Sequence, residues 1–204
     1  MKRTKKQLLW EYSKAIITAL ILALFIRAYF IQAFKIPSGS MIPTLVVGDH
    51  ILVNKFIYGT KIPFSDKRVL AFRKPGRGDI IVFKYPEDPD RDFIKRVIAV
   101  EGDVIEARNK VIYVNGNPVN EPYKQHTDTT LTPGGIEPRD NFGPHIVPKE
   151  KLFMMGDNRD QSYDSRYWGY VDLKQIKGEA LIMYWSWDSK KNWPRLERIG
   201  RLVK

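Results

Sequence analysis

Asp92-Phe93-Ile94-Lys95-Arg96-Val97-Ile98-Ala99-Val100 is an apolar run with two adjacent cations set into it. Its length and β-branched content read as a strand. On a strand's period of two, Phe93, Lys95 and Val97 face one way, and Ile94, Arg96 and Ile98 face the other. Glu101-Gly102-Asp103 closes the run with turn chemistry. The same grammar extends outward. Ile51–Val53, Asp79–Phe83, Lys110–Val114, Leu152–Met155 and Ala180–Trp187 are apolar segments of strand length, and Arg77-Gly78-Asp79 is a further turn. Asn115-Gly116, set between Val111-Ile-Tyr-Val114 and Asn117-Pro118-Val119, predicts a two-residue hairpin. Residues 122–148 are rich in Thr, Pro, Gly and Asn and read as a loop-rich excursion. The pattern predicts a mainly β fold.

The N-terminal region is different. Ala15 to Ile26 is continuously apolar, and after Arg27 the pattern resumes as Ala28-Tyr-Phe-Ile-Gln-Ala-Phe34. A helix of about 20 such residues spans about 30 Å of hydrocarbon. Arg27 is the flaw, at about 2.5–3.5 kcal/mol for a central arginine. It lies past the midpoint and can snorkel to the far interface, with Tyr29 and Phe30 in the interfacial belt. A cleaved signal peptide or a buried soluble helix are the rival readings; no Ala-x-Ala follows the apolar core. Lys2, Arg3, Lys5, Lys6, Lys14, Arg27 and Lys35 stand against Glu11, so more than half of the net charge of +11 surrounds this segment. That placement fits membrane topology, with the N-terminus cytoplasmic, and no nucleic-acid-binding motif accompanies the charge. The expected organisation is a basic cytoplasmic tail over residues 1–14, a transmembrane helix over 15–34 and an extracytoplasmic domain over 35–204, with residues 104–150 as a loop-rich insertion. The 204-residue chain has no cysteine, which removes disulfides, thiolate catalysis and cysteine zinc sites from consideration.

Three stretches can carry chemistry. Ile36-Pro37-Ser38-Gly39-Ser40-Met41-Ile42-Pro43 is a tightly turned loop just beyond the apolar segment. A serine there becomes a nucleophile only when something removes its proton. His50, His126 and His145 show no ligand spacing and no His-Glu-x-x-His, and sequence alone cannot aim His50 at a serine. Lys95 is another kind of base. A lysine pointing into apolar surroundings loses hydration, its pKa falls, and the neutral amine can accept a serine proton. A lysine on a solvated edge strand beside Arg96 fits the same residues. The third stretch, Gly156-Asp157-Asn158-Arg159-Asp160-Gln161-Ser162-Tyr163-Asp164-Ser165-Arg166, packs aspartates and arginines closely enough for an internally paired scaffold.

Together these pieces resemble type I bacterial signal peptidase (leader peptidase). The resemblance is carried by the apolar segment followed by Ser38-Gly39-Ser40-Met41-Ile42-Pro43-Thr44-Leu45, then Gly48-Asp49, Arg77-Gly78-Asp79 through Phe83, Ile94-Lys95-Arg96-Val97, Gly102-Asp103, and Gly156-Asp157-Asn158-Arg159-Asp160 through Arg166. The blocks run in the family's order along nearly the whole chain.

The resemblance implies coiled antiparallel sheets and a membrane-anchored endopeptidase with no cofactor or metal. Its partners would be signal-peptide-bearing preproteins and membrane lipid, and its place the bacterial cytoplasmic membrane. It implies Ser40 as nucleophile and Lys95 as general base. Ser38, with the Ser40 N–H, would hold the oxyanion, Ser162 would orient Lys95, and Asp164 and Arg166 would be a structural pair. Phe34, Ile36, Met41, Leu45, Ile51, Val82, Phe93 and Ile94 would wall shallow subsites that take small residues at −1 and −3. Gln161 departs from the family's usual asparagine, and the outer excursion is short. Two rivals stand beside this reading. One is a Ser/Lys autoprotease of the repressor-cleaving type, which calls for an N-terminal DNA-binding domain. The other is a non-catalytic, membrane-anchored β module, for which Trp168, Trp185, Trp187 and Trp193 could serve an interface.

Overall fold

The computed structural model of the chain describes residues 5–61, 68–69 and 71–204. The apolar segment is α1 (Lys5–Tyr29), with mean hydropathy 1.7 over its most apolar window and no residue buried. Its 25 residues rise about 38 Å, enough to cross a bilayer.

α1 starts earlier and stops sooner than the expected 15–34. Residues Ile31–Lys35 form strand β1, which pairs antiparallel with β2 (Asp49–Asn54) and sets Phe34 opposite Ile51. Apolar residues of this kind suit a helix or a strand equally; pairing with β2 decides the contest, because it buries the Phe34 face against the core. Lys55 Nζ fixes the boundary by donating to the Ala28 carbonyl at 2.6 Å, which satisfies an orphan acceptor at the helix end.

The remaining strands follow in chain order. A short pair, β3 (Thr60–Lys61) and β4 (Arg68–Val69), comes first. β5 (Ile80–Lys84) and β6 (Asp92–Val100) form a hairpin, with Ile81 opposite Lys95. β7 (Val104–Arg108), β8 (Val111–Val114), β9 (Asn117–Pro118) and β10 (Phe142–Ile146) lie in the outer excursion. β11 (Lys151–Met155), β12 (Val171–Asp172), β13 (Ile176–Asp188) and β14 (Trp193–Pro194) complete the chain, with a short helix α2 (Ser165–Trp168) after β11. The main sheet runs β1-β2-β13-β5-β6-β11-β12, with β14 on the far part of β13. Its pairings are antiparallel, and β13 and β11 carry register shifts. Such shifts bend strands and deepen sheet twist, which coils this sheet.

Each face of the sheet has its own core. Ile36, Met41, Leu45, Ile51, Val53, Ile80 and Val82 cluster on one side. Ile81, Phe83, Val97, Leu152 and Met154 cluster on the other. The alternation read along β6 holds: Ile94 packs with the first cluster, Phe93 and Val97 with the second.

The insertion over 104–150 carries a small second sheet, while residues 122–141 within it are mostly loop and turn, as expected. The order of this sheet is β10-β7-β8-β9, and Ile105, Ile112 and Val114 share a core with Ile98 and Phe153 of the main sheet. Asn115 and Gly116 make the expected tight turn, both with positive φ (54° and 79°), joining Val114 to its partner Asn117. β10 was hidden because Phe142-Gly143-Pro144-His145-Ile146 reads as turn chemistry. Gly143 is required there: a Cβ would fall 2.6 Å from the Ile105 carbonyl oxygen of the paired strand.

Candidate active site

Ser40 sits in the connection between β1 and β2. The connection is held from below by Ile36, Met41 and Leu45, each at most 2% exposed. It is held from the side by the segment after β11. The Asn158 N–H donates to the Ser40 carbonyl at 3.1 Å, Asn158 Nδ2 donates to the Gly39 carbonyl at 3.1 Å, and the Thr44 hydroxyl donates to Asp157. The approach is so close that a Cβ on Gly156 would lie 2.4 Å from the Ser40 carbonyl oxygen and 2.2 Å from Ser162 Oγ. Ser40 is half-buried, Ser38 is exposed, and the Ser40 N–H has no acceptor among the described residues.

Lys95 reaches this loop from the middle of β6. Its Nζ lies 2.6 Å from Ser40 Oγ, and its side chain passes 5.6 Å above the centre of the Phe93 ring. Lys95 is only 4% exposed. Burial pushes its pKa down to about 8; the Asp164 charge opposes the fall, Arg166 adds to it, and Asp157 opposes it. The amine is therefore neutral in a large fraction of molecules near pH 8. The solvated-edge alternative for this lysine is ruled out by its burial.

Three buried ion pairs frame the two groups. Arg96, adjacent to Lys95 but facing the other way, grips Asp157 through Nε at 2.9 Å and Nη2 at 2.8 Å, and its guanidinium lies 3.8 Å from the centre of the Tyr123 ring. Arg166 grips Asp164 in the same two-pronged way, at 2.8 Å for both contacts. Arg159 grips Glu121, with Nη1 to Oε2 at 2.8 Å. Burial alone would raise the Asp164 pKa, but the Arg166 charge and its hydrogen bonds, with the Gly156 N–H, hold it below the ordinary carboxylate range. Arg166 also donates to the carbonyls of Arg159 and Ser162, which ties the whole turn into one unit. Each pair neutralises itself, so the dyad amine is left without a dedicated carboxylate.

Two expectations need correction. Ser162 Oγ is buried but makes no hydrogen bond, so it does not orient Lys95 in this structure. Ser162 does come to the site, close enough to Gly156 that a Cβ there would lie 2.2 Å from its Oγ. The expected subsite wall also divides. Ile36, Met41, Leu45, Ile51 and Val82 are at most 2% exposed and act as core. Phe34 and Ile94 are half-buried on top of that cluster, while Phe93 lies across β6, stacked on Tyr85 at 4.4 Å. Core and wall are one continuous apolar layer in this sheet, and sequence does not separate its inner residues from its rim. His50 stands beside Tyr184, with ring centres 5.8 Å apart. Trp168 is half-buried against Phe83 and Tyr85, whereas Trp185, Trp187 and Trp193 are exposed. Among the described residues, the expected scaffold after β11 is internally paired only at Asp164–Arg166; Asp157 pairs with Arg96 and Arg159 with Glu121, both outside the stretch, and Asn158 and Gly156 are further site-building residues. The density of charges after β11 was the signal available for them.

Comparison with known proteins makes the chain a hydrolase of the serine-peptidase class. A family model described as "Signal peptidase, peptidase S26" matches residues 9–185. The chain is 39% identical to "Signal peptidase I" of Pseudomonas fluorescens, covering 100% of this chain and 82% of that protein. It is 38% identical to "Signal peptidase I" of Pseudomonas aeruginosa, covering 98% and 81%, and 38% identical to that of Aquifex aeolicus, covering 82% and 80%. The chain belongs to the signal peptidase family, peptidase S26.

Proposed function

We propose that this protein removes N-terminal signal peptides from exported preproteins as an endopeptidase anchored by α1, with Ser40 as nucleophile and Lys95 as general base. The observation that carries the reading is the 2.6 Å contact between Ser40 Oγ and the Nζ of Lys95, a lysine only 4% exposed. The neutral amine takes the hydroxyl proton as Ser40 Oγ adds to the scissile carbonyl carbon. The oxyanion accepts from the Ser40 N–H and from the hydroxyl of the exposed Ser38. Such donors are worth about 3–4 kcal/mol each. Lys95 then returns the proton to the leaving amine, and in the second half-reaction it deprotonates the water that cleaves the acyl-enzyme. Ser162, whose hydroxyl is buried and unpaired, is the group proposed to orient the amine in the substrate complex.

Specificity for small residues at −1 and −3 fits the rim. Phe34 and Ile94, half-buried, pack against the core cluster, so an apolar surface close to the sheet is what meets the substrate side chains. α1 leads through Phe30 and β1 directly into the serine loop, which holds the dyad near the bilayer surface where a membrane-inserted precursor presents its cut site. Tethering in the same membrane raises the effective concentration of that site. The exposed apolar helix and its basic N-terminal flank support a single-pass anchor in the bacterial cytoplasmic membrane with the sheets outside. The test is cleavage of a purified precursor with Ala-x-Ala before the cut, run with wild type and Ser40→Ala in parallel. Cleavage by wild type alone supports the reading; cleavage by both, or by neither, refutes it.

A further inference from the structure

α1 and the edge of the sheet enclose an open groove. Ala23, Ile26 and Arg27 line the helix side, Ile31, Ala33 and Leu52 line the sheet side, and the volume is about 600 Å³. The sheet side follows from alternation in β1. Ile31 and Ala33 point away from the core, and Leu52 is the cross-strand partner of Ala33. The apolar surface continues across the sheet, since Ile182 pairs with Leu52 and Leu202 pairs with Ile182.

Among the described residues, Arg27 is the one charged residue lining this groove. No carboxylate pairs with it among the described residues, and the helix end does not need it as a cap. Lys55 already donates to the Ala28 and Arg27 carbonyls, at 2.6 and 3.5 Å. Lys55 stands at the same helix end as a second cation. A guanidinium presents a planar donor fork suited to phosphate. A compact free anion would use that fork and leave the apolar walls wet. An acyl chain covers them.

We propose that this groove holds one anionic phospholipid, its phosphate on Arg27 and an acyl chain along Ile26, Ile31, Ala33 and Leu52. The inference rests on α1 being a membrane anchor. It explains how an arginine is accommodated at the end of an apolar helix. The bound lipid joins the helix to β1, and so fixes the tilt of the sheets on the bilayer.

The test is native mass spectrometry of the full chain released from micelles carrying phosphatidylglycerol, phosphatidylcholine, or phosphatidylglycerol with excess inorganic phosphate. Wild type should retain one phosphatidylglycerol, at least tenfold more than phosphatidylcholine, and inorganic phosphate should not displace it. Arg27→Gln should lower retention at least tenfold, and Arg27→Lys should restore part of it. Precursor cleavage in detergent by Arg27→Gln, at the wild-type rate, shows that the variant is folded. Equal retention by wild type and Arg27→Gln overturns the site, as does equal retention of the two lipids or displacement by inorganic phosphate. Alkaline extraction separates the two readings. A chain that leaves vesicles fails as an anchored protein and takes the lipid site with it. A chain that stays but holds phosphatidylglycerol independently of Arg27 fails only the groove.

Discussion

Lys95 Nζ and Ser40 Oγ lie 2.6 Å apart although 55 residues separate them in sequence. Two different devices deliver them. β6 carries Lys95 through the middle of the sheet, where burial strips its water. The connection between β1 and β2 carries Ser40, pinned by core side chains beneath and by Asn158 beside it. Neither device depends on the other's local sequence, so each can be broken alone.

Burial of Lys95 should cost stability. Its folded pKa, about 8, lies below the ordinary 10.5, so the unfolded chain binds more protons between these values. Stability from this group therefore rises as pH climbs from about 8 to 10.5, and the full penalty applies below that window. Lys95→Met should raise stability at pH 7 by about 1–3 kcal/mol while abolishing cleavage. The gain should shrink toward pH 10. Denaturant unfolding at pH 7 and 10 measures both.

The Asp164–Arg166 pair should act on the amine from a distance as well as on the fold. The Asp164 charge raises the Lys95 pKa, so Asp164→Asn should move the rising limb of the pH–rate profile to lower pH. It also leaves Arg166 buried without its counter-charge, at a cost of about 3–5 kcal/mol. Arg166→Ala would share the loss of stability and shift the limb the other way, since Arg166 lowers the amine's pKa. Profiles of the two variants, measured below their unfolding temperatures, check the opposite signs.

Gly156→Ala places a methyl carbon 2.4 Å from the Ser40 carbonyl oxygen, against backbone that cannot swing away. Cleavage should fall at least a hundredfold, about 2.7 kcal/mol of transition-state stabilisation. Substrate binding should change little, so kcat and not KM should carry the loss.

Ser162→Ala separates resting structure from mechanism. The hydroxyl is buried and unpaired, and removing such a group costs the fold little or nothing. Stability should stay within about 1 kcal/mol of wild type, and under the proposed role kcat should fall. Unchanged kcat would remove Ser162 from the catalytic apparatus.

Much of this was legible because β structure has a simple period. Once residues 92–100 read as a strand, Lys95 had to share a face with Phe93 and Val97, and it does. Asn115-Gly116 specified its turn through φ alone. Other features depend on partners distant in sequence. Ile31–Lys35 became a strand because β2 was there to pair with it, and Phe142–Ile146 became a strand despite Gly143-Pro144 because β7 accepted it. Arg96 and Asp157 lie 61 residues apart, and nothing local in either stretch names the other. The line between core and rim among Ile36, Met41 and Val82 is settled by packing.

The most direct test of the dyad is the pH dependence of single-turnover precursor cleavage under saturating enzyme. A neutral Lys95 amine acting on Ser40 predicts a rate that climbs about tenfold per pH unit on the acid side, levels off near pH 8, and vanishes in Lys95→Arg, which cannot give up its proton. A limb still climbing through pH 10, or ordinary turnover by Lys95→Arg, would contradict it.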